Sequence, residues 1–202
     1  MVTDCLRILH NARFAIRTIE TFRKTPYDSG SQRHEELLME IWERLRPGVA
    51  LTGRKTNQWI EVGFQADDPA TDFRGSGVLG LINLHRWVGT QEGKQAFQTA
   101  DTPSTEYFFA SASIFMTMLA CELCRDFTVH PKYWMGAEEW KFPDWEAPFQ
   151  RVFSTVWGDF VLFWEGREDK SMMQFNQTLL AFSRTIRQPA AAARLNRALG
   201  VI

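Results

Sequence analysis

From Phe108 to Leu123 the chain offers almost no polar face. Phe108, Phe109, Ile114, Phe115, Met118, Leu119 and Leu123 fall around nearly the whole circumference of a helix. A helix apolar on all sides has to be enclosed, so it demands a shell of partners with apolar stripes of their own. The least charged run, Tyr107 to Cys121, is 15 residues long and contains Ser111, Ser113 and Thr117. That falls short of the roughly 20 apolar residues that cross a bilayer, so a buried core helix is expected and not a membrane span. Its predicted start is Thr102-Pro103, a hydroxyl cap followed by proline at the first helical position, and its predicted end is about Phe127.

The required shell is legible on either side. Apolar residues at helical spacing predict helices over about 4–24 (Cys5, Leu9, Ala12, Ile16, Ile19), 32–46 (Leu37, Leu38, Ile41, Trp42, Leu45) and 77–88 (Val78, Leu79, Ile82, Trp87). Two more are predicted over about 148–165 and 169–187, and Pro26 and Pro47-Gly48 end the first two. A helical turn is expected around Trp59 and Val62, a short helix around Gln95 and Phe97, and irregular chain from Gly63 to Ser76. The loop 129–148 is expected to be pinned by Trp134, Trp140 and Trp145. No segment alternates as a strand would. The prediction is an all-α fold: one compact helical domain over 1–202 with six or seven main helices, and a tail or short helix over 188–202. With 16 Phe and 8 Trp in 202 residues, its core should be rich in aromatic rings.

Charge excludes some functions and leaves others open. Residues 1–58 carry ten Lys/Arg against seven Asp/Glu, whereas 59–183 carry nine against seventeen. This spread suits a basic partner surface opposite the middle of the chain and argues against nucleic acid, which needs a concentrated basic patch. Arg184, Arg187, Arg194 and Arg197 with Leu195, Leu199 and Val201 leave peripheral membrane contact by the tail open, beside a solvated terminal helix. The start MVTDCLRILHNARF has no apolar leader and the cysteine number is odd, so a reducing, cytoplasmic setting is expected.

Few constellations carry chemistry. Cys121 and Cys124 form one pair where a structural zinc site takes four ligands, so no metal is expected and core thiols are the better account. His10, His34, His85 and His130 share no ligand spacing. Gly75-Ser76-Gly77 lacks the second glycine and Lys-Ser/Thr of a phosphate loop, so the chain is expected to need no nucleotide or other cofactor itself. Asp67-Asp68 and Glu138-Glu139 read as solvated charges.

The stretch from Trp59 to Leu84, WIEVGFQADDPATDFRGSGVLGLINL, differs in kind. It holds one basic side chain, Arg74, among Glu61, Asp67, Asp68 and Asp72. The order W-x3-G-F-Q-x3-P-x-T-D-F-R-G-x-G-x3-L-x2-L resembles the signature of the ELMO domain. Trp59, Gly63, Phe64, Gln65, Pro69, Thr71, Asp72, Phe73, Arg74, Gly75, Gly77, Leu81 and Leu84 occupy its thirteen fixed positions. A looser likeness runs from 32 to 187. The arginine places the likeness with the ELMOD branch, whose members act in membrane traffic as GTPase-activating proteins for Arf-family and Arf-like small GTPases. ELMO scaffolds, which partner exchange factors, resemble the pattern without it.

The resemblance implies that Arg74 is catalytic as an arginine finger, acting on a partner that carries GTP and magnesium. No nucleotide hydrolysis by the chain itself is implied. Gln65, Asp72, Gly75 and Gly77 would position it, the two glycines by flexing the loop, with peripheral contact at an intracellular membrane left open. The alternative function is a non-catalytic scaffold that binds a small GTPase or its exchange factor. From the residues alone a second role for Arg74 stands beside the first: a partly buried ion pair with Asp72 that fixes the loop. Trp59, Gly63, Phe64, Pro69 and Phe73 read as motif packing under both.

Overall fold

The computed structural model describes residues 2–101, 107–136, 145–168 and 170–201, without the side chain of Met172. They form eight α-helices: α1 (Val2–Lys24), α2 (Gln32–Leu45), α3 (Gly77–Val88), α4 (Gln91–Ala100), α5 (Phe109–Arg125), α6 (Glu146–Glu165), α7 (Phe175–Thr185) and α8 (Pro189–Ala198). No strand occurs among the described residues. The fold is all-α, as predicted. The six long helices are those the apolar spacing marks, and α4 and α8 are the two short ones.

Helix α5 is the enclosed centre. Thirteen of its 17 residues are buried, and α1, α3, α4, α6 and α7 all pack around it. Asn83 of α3 donates through Nδ2 to Thr117 Oγ1 at 2.7 Å, and Thr117 donates onward to the Ser113 carbonyl, so these two side chains are paired inside the core. The aromatic excess goes where expected. Trp87, Phe109, Phe153 and Phe160 surround Trp157 at ring distances of 5.5–6.1 Å.

Several boundaries differ from expectation. The start at Thr102-Pro103 lies outside the described residues; Tyr107 and Phe108 are not helical, and α5 begins at Phe109. It ends at Arg125, two residues early, because Phe127 takes a left-handed backbone at φ 61°. The last long helix, predicted from 169, opens instead with a 3-10 turn at Met172–Gln174. Trp134 and Trp145 pin their loop by burial, Trp145 stacking on Phe22 at 4.7 Å, while Trp140 and the pair Glu138-Glu139 lie outside the described residues.

The basic tail is docked. Leu195 and Leu199 are buried, and Asn196 accepts from His130 N–H at 2.7 Å and donates to the Thr128 carbonyl at 2.8 Å. Arg187 binds Glu122 and Asp126, and Arg194 binds Asp159. The apolar face that would have met a membrane is inside the domain.

Gly77 opens α3 at φ 55°, and a Cβ there would fall far inside contact distance of the Arg23 and Thr25 carbonyl oxygens, which are backbone atoms with nowhere to go. Val78 N–H donates to that Thr25 carbonyl at 2.8 Å, so close approach and hydrogen bond are one feature. Gly77→Ala is expected to cost about 3 kcal/mol or more of stability, read as a lower midpoint in urea with unchanged slope.

Candidate functional site

The segment read as irregular, Gly63–Ser76, contains a 3-10 turn, Pro69–Arg74, and the sequence does announce it. Asp68 is its N-cap, accepting from Ala70 N–H at 3.1 Å, and Pro69 follows at the first helical position. A second 3-10 turn, Asn57–Val62, precedes it, capped by Thr56. Between the two, Gly63 takes φ 88°, and a Cβ on it would meet Ala110 N at 2.8 Å and fall nearer still to Phe109 N. Its carbonyl accepts from both the N–H (3.0 Å) and the Oγ (2.9 Å) of Ser111. That satisfies one of the orphan amides of the first turn of α5, whose N-cap Phe108 supplies no side-chain acceptor.

The motif aromatics, with Trp42 and Tyr27, make a continuous chain of ring contacts, three edge-to-face and one stacked. Trp42, Trp59, Phe64, Phe73 and Tyr27 follow one another at ring distances of 5.5, 5.6, 6.0 and 5.4 Å. Trp59, Phe64, Phe73 and Pro69 are buried, as is Gly63. Trp59 Nε1 donates to the Arg54 carbonyl at 3.0 Å, so the largest ring in the motif brings no unpaired polar atom with it.

Arg74 is the last residue of the 3-10 turn and is exposed. Among the described residues no hydrogen bond or ion pair engages its guanidinium. The partner considered for it is occupied elsewhere: Asp72 Oδ2 accepts from Gln65 N–H at 3.0 Å, tying the end of the Gly63–Gln65 bend to the turn. Burial pushes the Asp72 carboxyl above its ordinary range, and the Gln65 N–H and the charge of Arg74 offset this only in part. Arg74 thus acts on Asp72 through space, without contact. Gln65 is exposed beside them.

The structural ion pair belongs to an arginine outside the motif. Arg54 binds Glu35 with two nitrogens, Asp68 Oδ1 at 3.2 Å and the Tyr27 hydroxyl at 3.2 Å, while Lys55 adds a contact of 2.9 Å to Asp68. Asp68 is therefore not a solvated charge but a cap and a bridge. The signal that could have found this is the basic pair Arg54-Lys55 lying just ahead of the acidic run.

The two glycines also act differently from expectation. Gly75 has an ordinary helical backbone at φ −87°, and a Cβ on it would press on Met118 Cε and Sδ at 3.1 Å. Gly77 is clamped on α1. Both let backbone come close to a neighbour; neither loosens the loop. Cys121 and Cys124 are buried on one face of α5, and Cys121 Sγ lies 3.1 Å from Glu20 Oε1. Burial raises both thiols, which keeps them protonated and unreactive. No group of three or more His, Cys, Asp or Glu among the described residues is placed to hold a metal, and no helix among them is long and apolar enough to cross a membrane.

A groove of about 170 Å³ runs beside the turn. Gln65 and Asp72 form one wall, Ile114, Phe115 and Met118 of α5 the floor, and Leu179 of α7 part of the far wall. Arg74, an exposed cation on a fixed backbone two residues along the turn from Asp72, can be presented to an anionic group on another molecule.

Comparison with known proteins gives the family of the chain. The ELMO/CED-12 family model matches residues 17–179. The chain is 38% identical to ELMO domain-containing protein 2 of Homo sapiens over 160 residues, which is 78% of this chain and 54% of that protein. It is 32% identical to ELMO domain-containing protein 1 of Mus musculus over 205 residues (90% of this chain, 61% of the relative). With ELMO domain-containing protein B of Dictyostelium discoideum it shares 33% over 183 residues (90% and 62%). The chain thus spans between about half and three-fifths of these relatives. No solved structure gives a significant match.

If Arg54 and not Arg74 holds the motif together, the two alanine variants will differ in stability. Arg54→Ala leaves Glu35 without its cation and Asp68 with Lys55 alone, and is expected to cost about 1–3 kcal/mol, less than a fully buried pair because the site is partly solvated. Arg74→Ala is expected to stay within about 0.5 kcal/mol of wild type. Melting of both variants by circular dichroism checks the pair.

Proposed function

Since this chain belongs to the ELMO/CED-12 family, we propose that it is a GTPase-activating protein for a small GTPase of the Arf or Arf-like class, with Arg74 supplied in trans. The observation that carries the reading is the contrast between the two arginines. Arg54 is consumed by carboxylates, whereas Arg74, the cation at the motif's own arginine position, is exposed and unpaired on a braced turn.

The chemistry follows from what a small GTPase lacks. Hydrolysis is slow because the charge that develops on the transferring phosphoryl group is poorly neutralised. An arginine brought to it from outside is worth about 10³–10⁵ in rate. A guanidinium meets that need because it is always charged and its planar fork can bridge two phosphate oxygens. GTP and magnesium arrive with the partner, and this chain contributes the cation and the surface that aims it. Asp72, engaged by Gln65 N–H, leaves Arg74 uncommitted while its turn stays fixed.

The test is single-turnover GTP hydrolysis by a panel of Arf and Arf-like proteins, with wild type, Arg74→Lys and Arg74→Ala. Both variants are expected to lose at least about 100-fold of the stimulated rate while still binding the GTP-loaded partner. If wild type binds one of the panel but accelerates none, the chain is a scaffold and the activator reading fails.

A further inference from the structure

The groove beside Arg74 holds an unusual combination. Its floor is apolar, with Ile114 buried and Phe115 and Met118 half-buried, yet one wall is a half-buried carboxylate. Asp72 spends Oδ2 on Gln65 N–H; no hydrogen bond is made by Oδ1 among the described residues. Partial burial holds the carboxyl above its ordinary range, against the opposing pull of the Gln65 N–H and of the Arg74 charge.

The surface around the mouth extends the apolar character. On α7, Asn176 lines the groove and Leu180 lies one turn further along the same helical face, 54% exposed. Met173 stands three residues ahead of Asn176 and is 96% exposed. Gly75, next to Arg74, rests on Met118, so the finger's backbone and the groove floor touch. Apolar floor and half-buried carboxylate therefore adjoin the backbone that carries the free guanidinium. The thioether of Met118 at the floor adapts to an incoming shape, as promiscuous docking surfaces do.

We propose that this groove is the docking pocket for the GTPase itself: it takes one large apolar side chain of the partner, with an adjacent N–H, hydroxyl or cationic donor meeting Asp72 Oδ1. The inference rests on the activator reading for the partner's class and adds where that partner is gripped. Continuity with Arg74 and the charge of Asp72 decide for this occupant. A second copy of the chain, with a net charge of −1, brings no excess of cations to meet Asp72. The division of labour is the usual one for an interface, with a central desolvated pocket supplying affinity and a neighbouring group supplying chemistry.

Two substitutions at exposed positions probe the groove without opening the core. Asn176→Trp fills it, and Leu180→Glu places a charge on the exposed apolar surface one turn along α7. In a titration of activator against a fixed amount of GTP-loaded GTPase, both are expected to raise the half-maximal concentration at least about tenfold. The rate at saturation should stay within about twofold and the melting temperature should not change. Arg74→Lys should do the reverse, losing rate at saturation and keeping the half-maximal concentration. Asp72→Asn, which can still accept from Gln65 N–H, should weaken docking by several-fold if the partner's donor is cationic.

Unchanged half-maximal concentrations for both groove variants, with wild type still active, overturn the groove and leave the activator reading intact. If wild type accelerates no partner but binds one, the activator reading fails, and loss of that binding in the two variants still supports the groove. If wild type neither accelerates nor binds any member of the panel, both fail. Concentration-dependent dimerisation abolished by the same variants assigns the groove to a second copy and overturns it as a GTPase site.

Discussion

Two places where backbone meets backbone hold the motif in position. At Gly63 the chain lies against the first amides of α5, and at Gly77 against the last carbonyls of α1. Each contact excludes a Cβ, and each coincides with a hydrogen bond that a helix end would otherwise lack: Ser111 to the Gly63 carbonyl, and Val78 to the Thr25 carbonyl. The Gly63–Ser76 segment is therefore suspended between the N-terminus of the central helix and the C-terminus of the first. Its length and the direction of its turn are set by those two anchors, so the position of Arg74 is a property of the domain and not of a loop. Arg23 adds a weaker tie, donating to the Gly75 carbonyl at 3.4 Å.

Local electrostatics then sort the charges by geometry, not by distance along the chain. Asp72 is two residues from Arg74 but turns back to the Gln65 amide. Asp68, six residues away, goes to Arg54 and Lys55 on the opposite side of the turn. Glu35 comes from α2 to complete that cluster. With Asp72 committed to backbone and Asp68 to other cations, Arg74 is left over. A 3-10 turn accounts for the split, since it repeats every three residues and sends positions 68 and 72 in different directions. Reading acidic neighbours in the sequence as partners for Arg74 assumes a contact that the turn prevents.

The same cause separates what the sequence discloses from what it does not. Long helices are legible because burial repeats over many turns: α1, α2 and α3 begin or end within two residues of the spacing-based limits. The 3-10 turn is too short to show a period, although Asp68-Pro69 is the same cap-and-proline signal that stands at Thr102-Pro103. Burial of Trp59, Phe64 and Phe73 follows from residue type. The two close glycine approaches do not, because glycine reads equally well as a hinge and as a contact, and only the position of α1 and α5 decides. The tail is a similar case. Four arginines without an acid suggest a free basic surface, yet two of them find carboxylates on α5, its C-terminal cap and α6, and Leu195 fills the core beneath.

A braced turn carrying a free arginine is a particular compromise between order and freedom. Holding the guanidinium in an intramolecular ion pair would remove its rotamer freedom in advance, but breaking that pair at the moment of use would cost about as much as the pair is worth. Leaving the side chain free costs up to about 2 kcal/mol of rotamer entropy when a phosphate captures it. A trans arginine worth about 10³–10⁵ in rate corresponds to about 4–7 kcal/mol of transition-state stabilisation, so on the proposed reading most of the effect survives that loss. Backbone disorder would add about 1–2 kcal/mol for each residue that has to be fixed, and over the six residues of the Pro69–Arg74 turn that would cancel the benefit. The anchors at Gly63 and Gly77 remove the larger cost in the folding of the domain and leave only the smaller one to the encounter.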